Sequence, residues 1–334
     1  MVKVLLTGGS GFIAAHAVDI LLQRNHDVVF TVRSDEKGQK ILSNHPGTPS
    51  SKLSYVIVED IAQEGAFDEA VKSDPPFEAV LHTASPFHFK VTDVKKDLLD
   101  PAIIGTTTLL KAVKKNAPSV KRVAITSSFA AIINPNGHPK VYSESNWNPI
   151  TQEEAVANPQ NGYRASKTFA EKAAWDFVEK EKPNFDVATI NPPLVLGPVV
   201  HYLNSIDNIN TSNERVANLI QGKWKDGLPS SGIWIWVDVR DVALAHVKAI
   251  EVPEAGGKRF LLTAGYYSNG EIASAIKSNF PDLADKLPQD LKSDKPDDVY
   301  GIDNSRSKDV LGIKYRNLEE SVIDTTKSLL AIGA

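Results

Sequence analysis

Short apolar runs alternate with segments of helical period through the first half of the chain. The first run covers residues 2–6, and an apolar-periodic segment from Phe12 to Leu22 follows a glycine-rich stretch. Further runs predict strands at Asp27–Val32, Leu53–Val58, Ala79–His82 and Arg122–Thr126. Because these runs are apolar almost throughout, helices are expected on both faces of the sheet. The pattern predicts an α/β fold with a Rossmann-type, doubly wound parallel sheet.

The pattern changes near residue 190, where prolines and a polar stretch, residues 204–213, interrupt the alternation. We therefore predict a dinucleotide-binding domain over residues 1–190 and a smaller α/β substrate-binding region over most of residues 191–334. A helical pattern from Val239 to Ile250 and a strand-like run from Arg259 to Thr263 indicate that the chain returns to the first domain, at about residues 236–252.

Composition narrows the function classes. The chain has 334 residues, a net charge of -4 and no cysteine. The mildly acidic balance argues against nucleic acid or a membrane surface as partner, and the lack of cysteine excludes disulfides and thiolate sites. The sequence contains no HExxH motif, paired-histidine cluster or Walker lysine, so no metal site is predicted. With no signal peptide and no long apolar run, a cytoplasmic protein is expected.

The glycine-rich stretch TGGSGFIA, residues 7–14, has the placement of a dinucleotide site, between a strand and a helix. A side chain at Gly8 or Gly11 would block the approach of a diphosphate to the backbone amides and the helix N-terminus. The small Ala14 allows close packing of helix and strand. The spacing is GxxGxxA and differs from the GxGxxG of many dehydrogenases, which indicates another branch of nucleotide-binding folds.

Two basic residues follow the second predicted strand, where an NAD enzyme carries an acid for the ribose hydroxyls. Arg33 comes directly after the strand, and Lys37 lies at the start of the next helix. A guanidinium there would pair with the 2′-phosphate of NADPH. The alternative is a pair of solvated basic side chains in a surface loop.

A tyrosine and a lysine, Tyr163 and Lys167, are four residues apart in a segment of helical period, 163–178, and therefore share one helix face. The fifth predicted strand ends in Thr126, Ser127 and Ser128, at the sheet edge where ligands bind in such folds. A nearby ammonium favours the phenolate and is expected to lower the tyrosine pKa towards neutrality. Tyr163, Lys167 and the strand-end serines together predict proton transfer by Tyr163.

These motifs resemble those of the extended short-chain dehydrogenases/reductases, in particular the dihydroflavonol-4-reductase-like group and its yeast NADPH-dependent methylglyoxal and 3-methylbutanal reductases. The resemblance covers nearly the full length and includes TGGSGFIA, VLHTASPF, TSS, YxxxK, NPPLVLGP and WVDVRDVA in family order. It implies an NADPH-dependent reductase of aldehydes, ketones and ketoesters. A small-molecule carbonyl compound would be the partner, and the chain would be a monomer or a homodimer.

The resemblance also implies roles for particular residues. Tyr163 would protonate the carbonyl oxygen, Lys167 would hold the nicotinamide ribose, and Ser128, preferred to Ser127 by its place before a small-residue step, would hydrogen-bond the carbonyl. Asp60 would contact adenine or, alternatively, only sit at a helix N-terminus. The expected cofactor-binding residues are Gly8, Ser10, Gly11, Phe12, Ile13, Arg33, Lys37, Asp60, Ile61, Thr83, Ala84, Ser85, Tyr163, Lys167, Pro192, Leu194 and Val195.

The chain departs from its relatives at two places. Ile104 stands where an asparagine supports a water relay, so the lysine would receive its proton by another route. Phe129 and Leu194 replace tyrosines, and with Phe87 they would form an apolar substrate pocket that prefers bulky or aromatic ketones to methylglyoxal. Alternatively, these three side chains only fill the core. His201 would also line the pocket or, alternatively, lie in a surface loop. His82, inside a predicted strand, is expected to be a hydrogen-bonded core histidine.

Three function classes stay open from the sequence. The first is the carbonyl reductase. A sugar-nucleotide epimerase or dehydratase shares the Ser/Tyr/Lys set but needs polar anchors for a diphosphate, and the C-terminal region offers few arginines, Arg215 and Arg259 among them. The third class is a non-catalytic NADP-sensing protein, which would be expected to lack the tyrosine or the lysine.

Overall fold

A seven-stranded parallel sheet forms the centre of the molecule, in a computed structural model that describes residues 1–85, 93–200, 203 and 205–334. The strands of the chain are β1 (Lys3–Thr7), β2 (Asp27–Val32), β3 (Leu53–Ile57), β4 (Ala79–His82), β5 (Arg122–Thr126), β6 (Val141–Tyr142), β7 (Asp186–Asn191), β8 (Leu194–Leu196), β9 (Ile235–Asp238), β10 (Lys258–Leu261), β11 (Gly265–Tyr266) and β12 (Gly301–Ile302). The central sheet has the order β10-β7-β5-β4-β1-β2-β3. The order reverses between β1 and β4, so the carboxyl ends of these two strands border the crevice where such folds bind ligands.

Helices cover both faces of this sheet. They are α1 (Phe12–Gln23), α2 (Asp35–Ser43), α3 (Asp100–Asn116), α4 (Gln152–Ala157), α5 (Pro159–Glu181), α6 (Glu214–Ile220), α7 (Val239–Glu251), α8 (Asn269–Asn279), α9 (Ser305–Asp309) and α10 (Leu318–Ala331), with a π-helical turn over Lys95–Leu99. In β1, Val4 and Leu6 belong to the core beneath α1 and α7, whereas Leu5 belongs to the core beneath α3 and α5. Both faces of the strand are buried, which confirms the predicted doubly wound sheet.

The later part of the chain builds a second, smaller layer. Strands β8, β9 and β11 form a three-stranded sheet, and α6, α8 and α10 share a separate apolar core with it. The chain also contributes to the large sheet here, because α7 packs against α1 and β10 pairs with β7. Helix α7 begins at Val239, as the periodicity predicts, and β10 covers 258–261 where 259–263 was expected. Among the described residues, no helix is both long and apolar enough to cross a membrane.

Candidate active site

The glycine turn after β1 is held tightly against the neighbouring strands. The amides of Gly8 and Gly9 donate to the side-chain and backbone oxygens of Thr31, at 3.0 and 2.9 Å. Gly8 has a φ of +76°, and a Cβ added to it would lie 2.8 Å from the Cα of Ala84. Only glycine satisfies both the backbone angle and this close approach.

The same turn opens α1 with no acidic residue in its first turn and, within the described chain, with no side-chain cap. Gly11 is the N-cap residue, and its own amide bonds to the carbonyl of Gly8 at 2.9 Å. An uncapped helix N-terminus attracts anions through its amides and its dipole. The segment fits a diphosphate, with Ser10 and Ile13 half-buried beside it and Phe12 packed into the core.

The end of β4 lies over the glycine turn. Thr83 donates its hydroxyl hydrogen to the carbonyl of Thr7 at 2.6 Å, and the amide of Ala84 donates to the hydroxyl of Thr7 at 3.2 Å. The next residue, Ser85, accepts a hydrogen bond from the ammonium of Lys167 at 3.1 Å. These bonds join the predicted diphosphate site to the helix that carries Lys167.

Arg33 and Lys37 are both exposed near the carboxyl end of β2, and neither forms an ion pair with a described residue. The acids between them have other partners: Asp35 accepts from the Tyr55 hydroxyl at 2.5 Å, and Glu36 pairs with Lys40 at 2.8 Å. Two cations therefore remain available to a bound anion.

Asp60 and Ile61 follow β3 at the same edge of the sheet. Asp60 is exposed, and its carboxylate accepts the amide hydrogen of Ala62 at 2.9 Å. Ile61 packs against α3 at Gly105, where an added Cβ would lie 3.1 Å from the isoleucine side chain. Turns and not a helix follow Asp60, so the alternative of an acid at a helix N-terminus is wrong; its local bond is that of a turn, and its exposure leaves it open to a ligand.

Ser128, Tyr163 and Lys167 come together beyond the carboxyl end of β5. Ser128 caps a short 3₁₀ turn, Phe129–Ala131, and accepts the amide hydrogen of Ala130 at 3.1 Å. Its side chain is also hydrogen-bonded to that of Tyr163, which is 38% exposed. Lys167 lies one helical turn further along α5, on the same face. The structure thus assembles the three residues that the sequence singles out.

The protonation of this set differs from the sequence expectation. Loss of water around the hydroxyl raises the pKa of Tyr163, and the hydrogen bond with Ser128 opposes this rise. The expected lowering of the Tyr163 pKa is therefore wrong for this structure. Burial lowers the pKa of Lys167 to about 8, because water no longer solvates the ammonium fully.

The loop after β7 lies against the Ser128 segment. The carbonyl of Pro192 accepts the amide hydrogen of Phe129 at 2.9 Å, and Asn191 donates to the carbonyl of Ser128 at 3.2 Å. Leu194 and Val195 begin β8; Leu194 is half-buried, while Val195 is part of the core beneath α1 and α7. The backbone from Pro192 onward therefore borders the candidate site, as expected for a segment near the nicotinamide.

Of the predicted substrate wall, the structure describes only Phe129 and Leu194. Phe129 is only 1% exposed, and its ring packs edge-on against Tyr142 with 5.3 Å between ring centres. Its second aromatic neighbour is Tyr300, at 6.2 Å. Phe129 is thus a core residue and does not line a cleft. Leu194 packs against the core of the smaller layer. Phe87 and His201 lie outside the described residues.

His82 is the buried structural histidine that the sequence predicts. It shares a hydrogen bond of 2.8 Å with Thr7, and burial together with the charge of Lys167 lowers its pKa to about 3. It is therefore uncharged at neutral pH and does not act as an imidazolium acid in the reaction.

A further buried residue, Glu171, lies two turns beyond Tyr163 on α5 and pairs with the buried Arg259; it is not among the residues predicted from the sequence. The repeated spacing of four from Tyr163 to Lys167 to Glu171 is a signal that the sequence does contain. The partner was not identifiable, because Arg259 lies 88 residues away in the chain.

Comparison with known proteins agrees with this geometry. The model of the NAD dependent epimerase/dehydratase family matches residues 4–263. A ketoreductase, azaE of Aspergillus niger, is 51% identical over 98% of this chain and 97% of its own. The NADPH-dependent methylglyoxal reductase GRE2 of Saccharomyces cerevisiae is 36% identical over 98% of each chain. The crystal structure of Gre2 from Candida albicans in complex with NADPH superposes with a TM-score of 0.92, at 40% identity and over 100% of both chains.

Proposed function

This chain belongs to the NAD dependent epimerase/dehydratase family, within the extended short-chain dehydrogenases/reductases, and we propose that it is an NADPH-dependent carbonyl reductase. The proposal depends on one observation: the predicted diphosphate site is connected to the residues that would carry out the reaction. The hydrogen-bonded pair Ser128 and Tyr163 lies on the same side of the sheet as the uncapped glycine turn, and the bond from Lys167 to Ser85 links them. Similarity to a ketoreductase and to a methylglyoxal reductase supports the same activity.

NADPH is the proposed cofactor, and several features of the chain fit it. The turn at Gly8 and Gly11 would hold the diphosphate, since it leads into the N-terminus of α1, which has no side-chain cap and no acidic residue in its first turn. Arg33 and Lys37 would bind the 2′-phosphate, because both are exposed and neither forms an ion pair with a described carboxylate. Lys167 would hold the nicotinamide ribose. When bound, the cofactor supplies the hydride for the carbonyl carbon.

The chain's own residues account for the remaining chemistry. The Tyr163 hydroxyl would donate its proton to the carbonyl oxygen, and its raised pKa keeps it protonated at neutral pH. The Ser128 hydroxyl would donate a hydrogen bond to the developing alkoxide. The Lys167 ammonium, mostly protonated below a pKa of about 8, would add positive charge nearby. These groups position the carbonyl compound and stabilise the developing alkoxide, so the mechanism needs no covalent intermediate.

The epimerase alternative is less well supported. Arg215 donates to the side chain of Asn269 at 2.9 Å and to the carbonyl of Ser231 at 3.2 Å, and Arg259 pairs with Glu171 at 2.6 Å. Both guanidinium groups are thus engaged within the protein and are not directed at a diphosphate. The sensor alternative is disfavoured because Tyr163 and Lys167 are both present and joined to the site.

The substrate class that we propose is small aldehydes, ketones and ketoesters. The sequence-based preference for aromatic ketones loses its main support, because Phe129 is buried in the core. The test is NADPH absorbance during reaction with a panel of these compounds. We expect one NADPH consumed per alcohol formed. Conversion of a sugar nucleotide with no net change in NADPH would contradict the proposal.

A further inference from the structure

Glu171 carries a carboxylate that is buried in the middle of the molecule and accepts hydrogen bonds from several directions. The residue is 2% exposed. One oxygen, Oε2, accepts from Ser127 at 2.5 Å and from Asn191 at 2.7 Å. The other, Oε1, accepts from Thr189 at 2.9 Å and from Arg259 at 2.6 Å. Longer bonds of 3.3 Å come from Arg259 to Oε2 and from Trp175, on α5 itself, to Oε1. The donors other than Trp175 lie in β7, in β10 and directly after β5, so Glu171 fastens helix α5 to these strands.

Arg259 is held as firmly as the acid that it neutralises. Its Nη1 donates to the carbonyls of Glu144 and Asn146, both at 2.7 Å. Its guanidinium stacks on the ring of Trp147, 3.6 Å from the ring centre. With two carbonyls, an aromatic ring and a carboxylate around it, the arginine has one defined position.

The bonds of Glu171 lead directly to the reacting groups. Ser127 precedes Ser128 in the chain, and Asn191 donates both to Glu171 and to the carbonyl of Ser128. On the helix, Glu171 lies four residues beyond Lys167 and eight beyond Tyr163, on the same face. The carboxylate thus connects the Ser128 segment to the helix that carries Tyr163.

We propose that Glu171, fixed by Arg259, is a positioning residue that sets the hydroxyl of Ser128 against the hydroxyl of Tyr163. The inference rests on the proposed reductase function. A buried ion pair contributes little net stability compared with an apolar pair of the same volume. What the pair supplies here is direction, because the carboxylate accepts bonds from Ser127, from Thr189 and Asn191 of β7, and from Arg259 at the same time, and thereby fixes the segment after β5 against β7. Errors of about 1 Å in such positioning cost on the order of 100-fold in rate.

The first experiment compares Glu171→Gln with a matched control, Asp186→Asn. Asp186 pairs with Arg122 at the opposite end of β7, away from the candidate site. Both variants keep side-chain volume and remove one charge of an ion pair. We expect kcat to fall about 10- to 100-fold in Glu171→Gln and to change less than about threefold in Asp186→Asn, with KM for NADPH near the wild-type value in both.

A double-mutant cycle with Ser128→Ala separates positioning from general damage. If Glu171 acts through Ser128, the loss caused by Glu171→Gln shrinks to less than about threefold once Ser128 is alanine. If the losses in kcat from Glu171→Gln and Ser128→Ala multiply in the double variant, Glu171 acts independently of Ser128. That result would overturn the proposal. Asp186→Asn combined with Ser128→Ala provides the multiplicative reference.

A crystal structure of Glu171→Gln gives a readout that does not depend on activity. We expect the Ser128 hydroxyl beyond hydrogen-bonding distance of the Tyr163 hydroxyl; an unchanged contact would overturn the proposal. Should Glu171→Gln fail to fold, Arg259→Lys takes its place in the same cycle, since it keeps the charge and loses the bonds to Glu144 and Asn146. Wild-type protein inactive on every carbonyl compound would refute the reductase function, whereas active wild type together with a wild-type kcat in Glu171→Gln would refute the positioning role.

Discussion

Gly8 lies so close to Ala84 that a Cβ on the glycine would stand 2.8 Å from the alanine Cα and 2.9 Å from its backbone nitrogen. The contact joins the loop after β1 to the loop after β4, at the point where the strand order of the sheet reverses. The two loops can approach in this way only because one of the residues has no side chain.

We expect Gly8→Ala to lower the free energy of unfolding by roughly 2–4 kcal/mol and to abolish NADPH binding, because backbone atoms cannot yield as a flexible side chain can. Gly47→Ala is the matched control: its φ is +81°, and no described atom lies within 4 Å of the added Cβ. It carries only the backbone strain, about 1 kcal/mol. Urea unfolding and fluorescence titration measure both effects. Equal stability losses in the two variants would show that the contact with Ala84 is unimportant.

The phosphate role of Arg33 predicts a change in cofactor selectivity. We expect Arg33→Ala to weaken NADPH binding about 10- to 100-fold and NADH binding less than about threefold, since only NADPH loses a charge-assisted contact. Lys140→Ala, at an exposed position in another part of the chain, is the control and leaves both affinities unchanged. Dissociation constants from fluorescence titration decide the point. A similar loss for the two cofactors would remove the phosphate contact from the account.

Lys167 is expected to reduce stability at neutral pH. Its pKa of about 8 in the folded protein lies below the ordinary 10.5, so the unfolded chain binds the proton more tightly and stability rises between about pH 8 and pH 10.5. Below pH 8 the buried ammonium lowers the free energy of unfolding by its full amount, at most about 3 kcal/mol. Lys167→Met therefore stabilises the protein at pH 7, and the gain disappears at the upper end of this range.

Lys180→Met, on an exposed part of the same helix, gives the reference for unfolding at each pH. The predicted signature is a gain for Lys167→Met that shrinks as the pH rises. A gain that stays constant with pH would mean that the ammonium is not responsible for it.

Substitution of Phe129 tests whether this residue belongs to the core and not to the substrate pocket. Because its ring packs against Tyr142 and Tyr300, Phe129→Leu is expected to lower the free energy of unfolding by about 1–3 kcal/mol through imperfect filling of the core. The ratio of kcat/KM for an aryl ketone to that for methylglyoxal is expected to stay within about threefold, since a ring that is buried in the core is not expected to contact the substrate. A large change in this ratio with unchanged stability would restore Phe129 to the pocket wall.

The parts of the fold that follow local rules were predictable from the sequence. Val4, Leu5 and Leu6 are all buried, on alternating faces of a strand that is covered on both sides, and the glycine turn needs small residues at fixed places. The spacing of Tyr163 and Lys167 places them on one helix face by geometry alone.

The parts that depend on distant residues were not predictable. The burial of Phe129 is set by Tyr142 and Tyr300, which come from separate segments of the chain. The direction of the Tyr163 pKa depends on how much water surrounds its hydroxyl, which only the assembled site determines. Spacing in the sequence gives no information on either.

The central claim is that Tyr163 delivers the proton to the carbonyl oxygen, and Tyr163→Phe tests it most directly because it removes one oxygen atom and leaves the ring. The measurement is kcat for a ketone that the wild type reduces, together with the dissociation constant of NADPH for both proteins. We expect kcat to fall at least about 1000-fold, with the dissociation constant within about threefold of wild type. A kcat equal to that of the wild type would contradict the account.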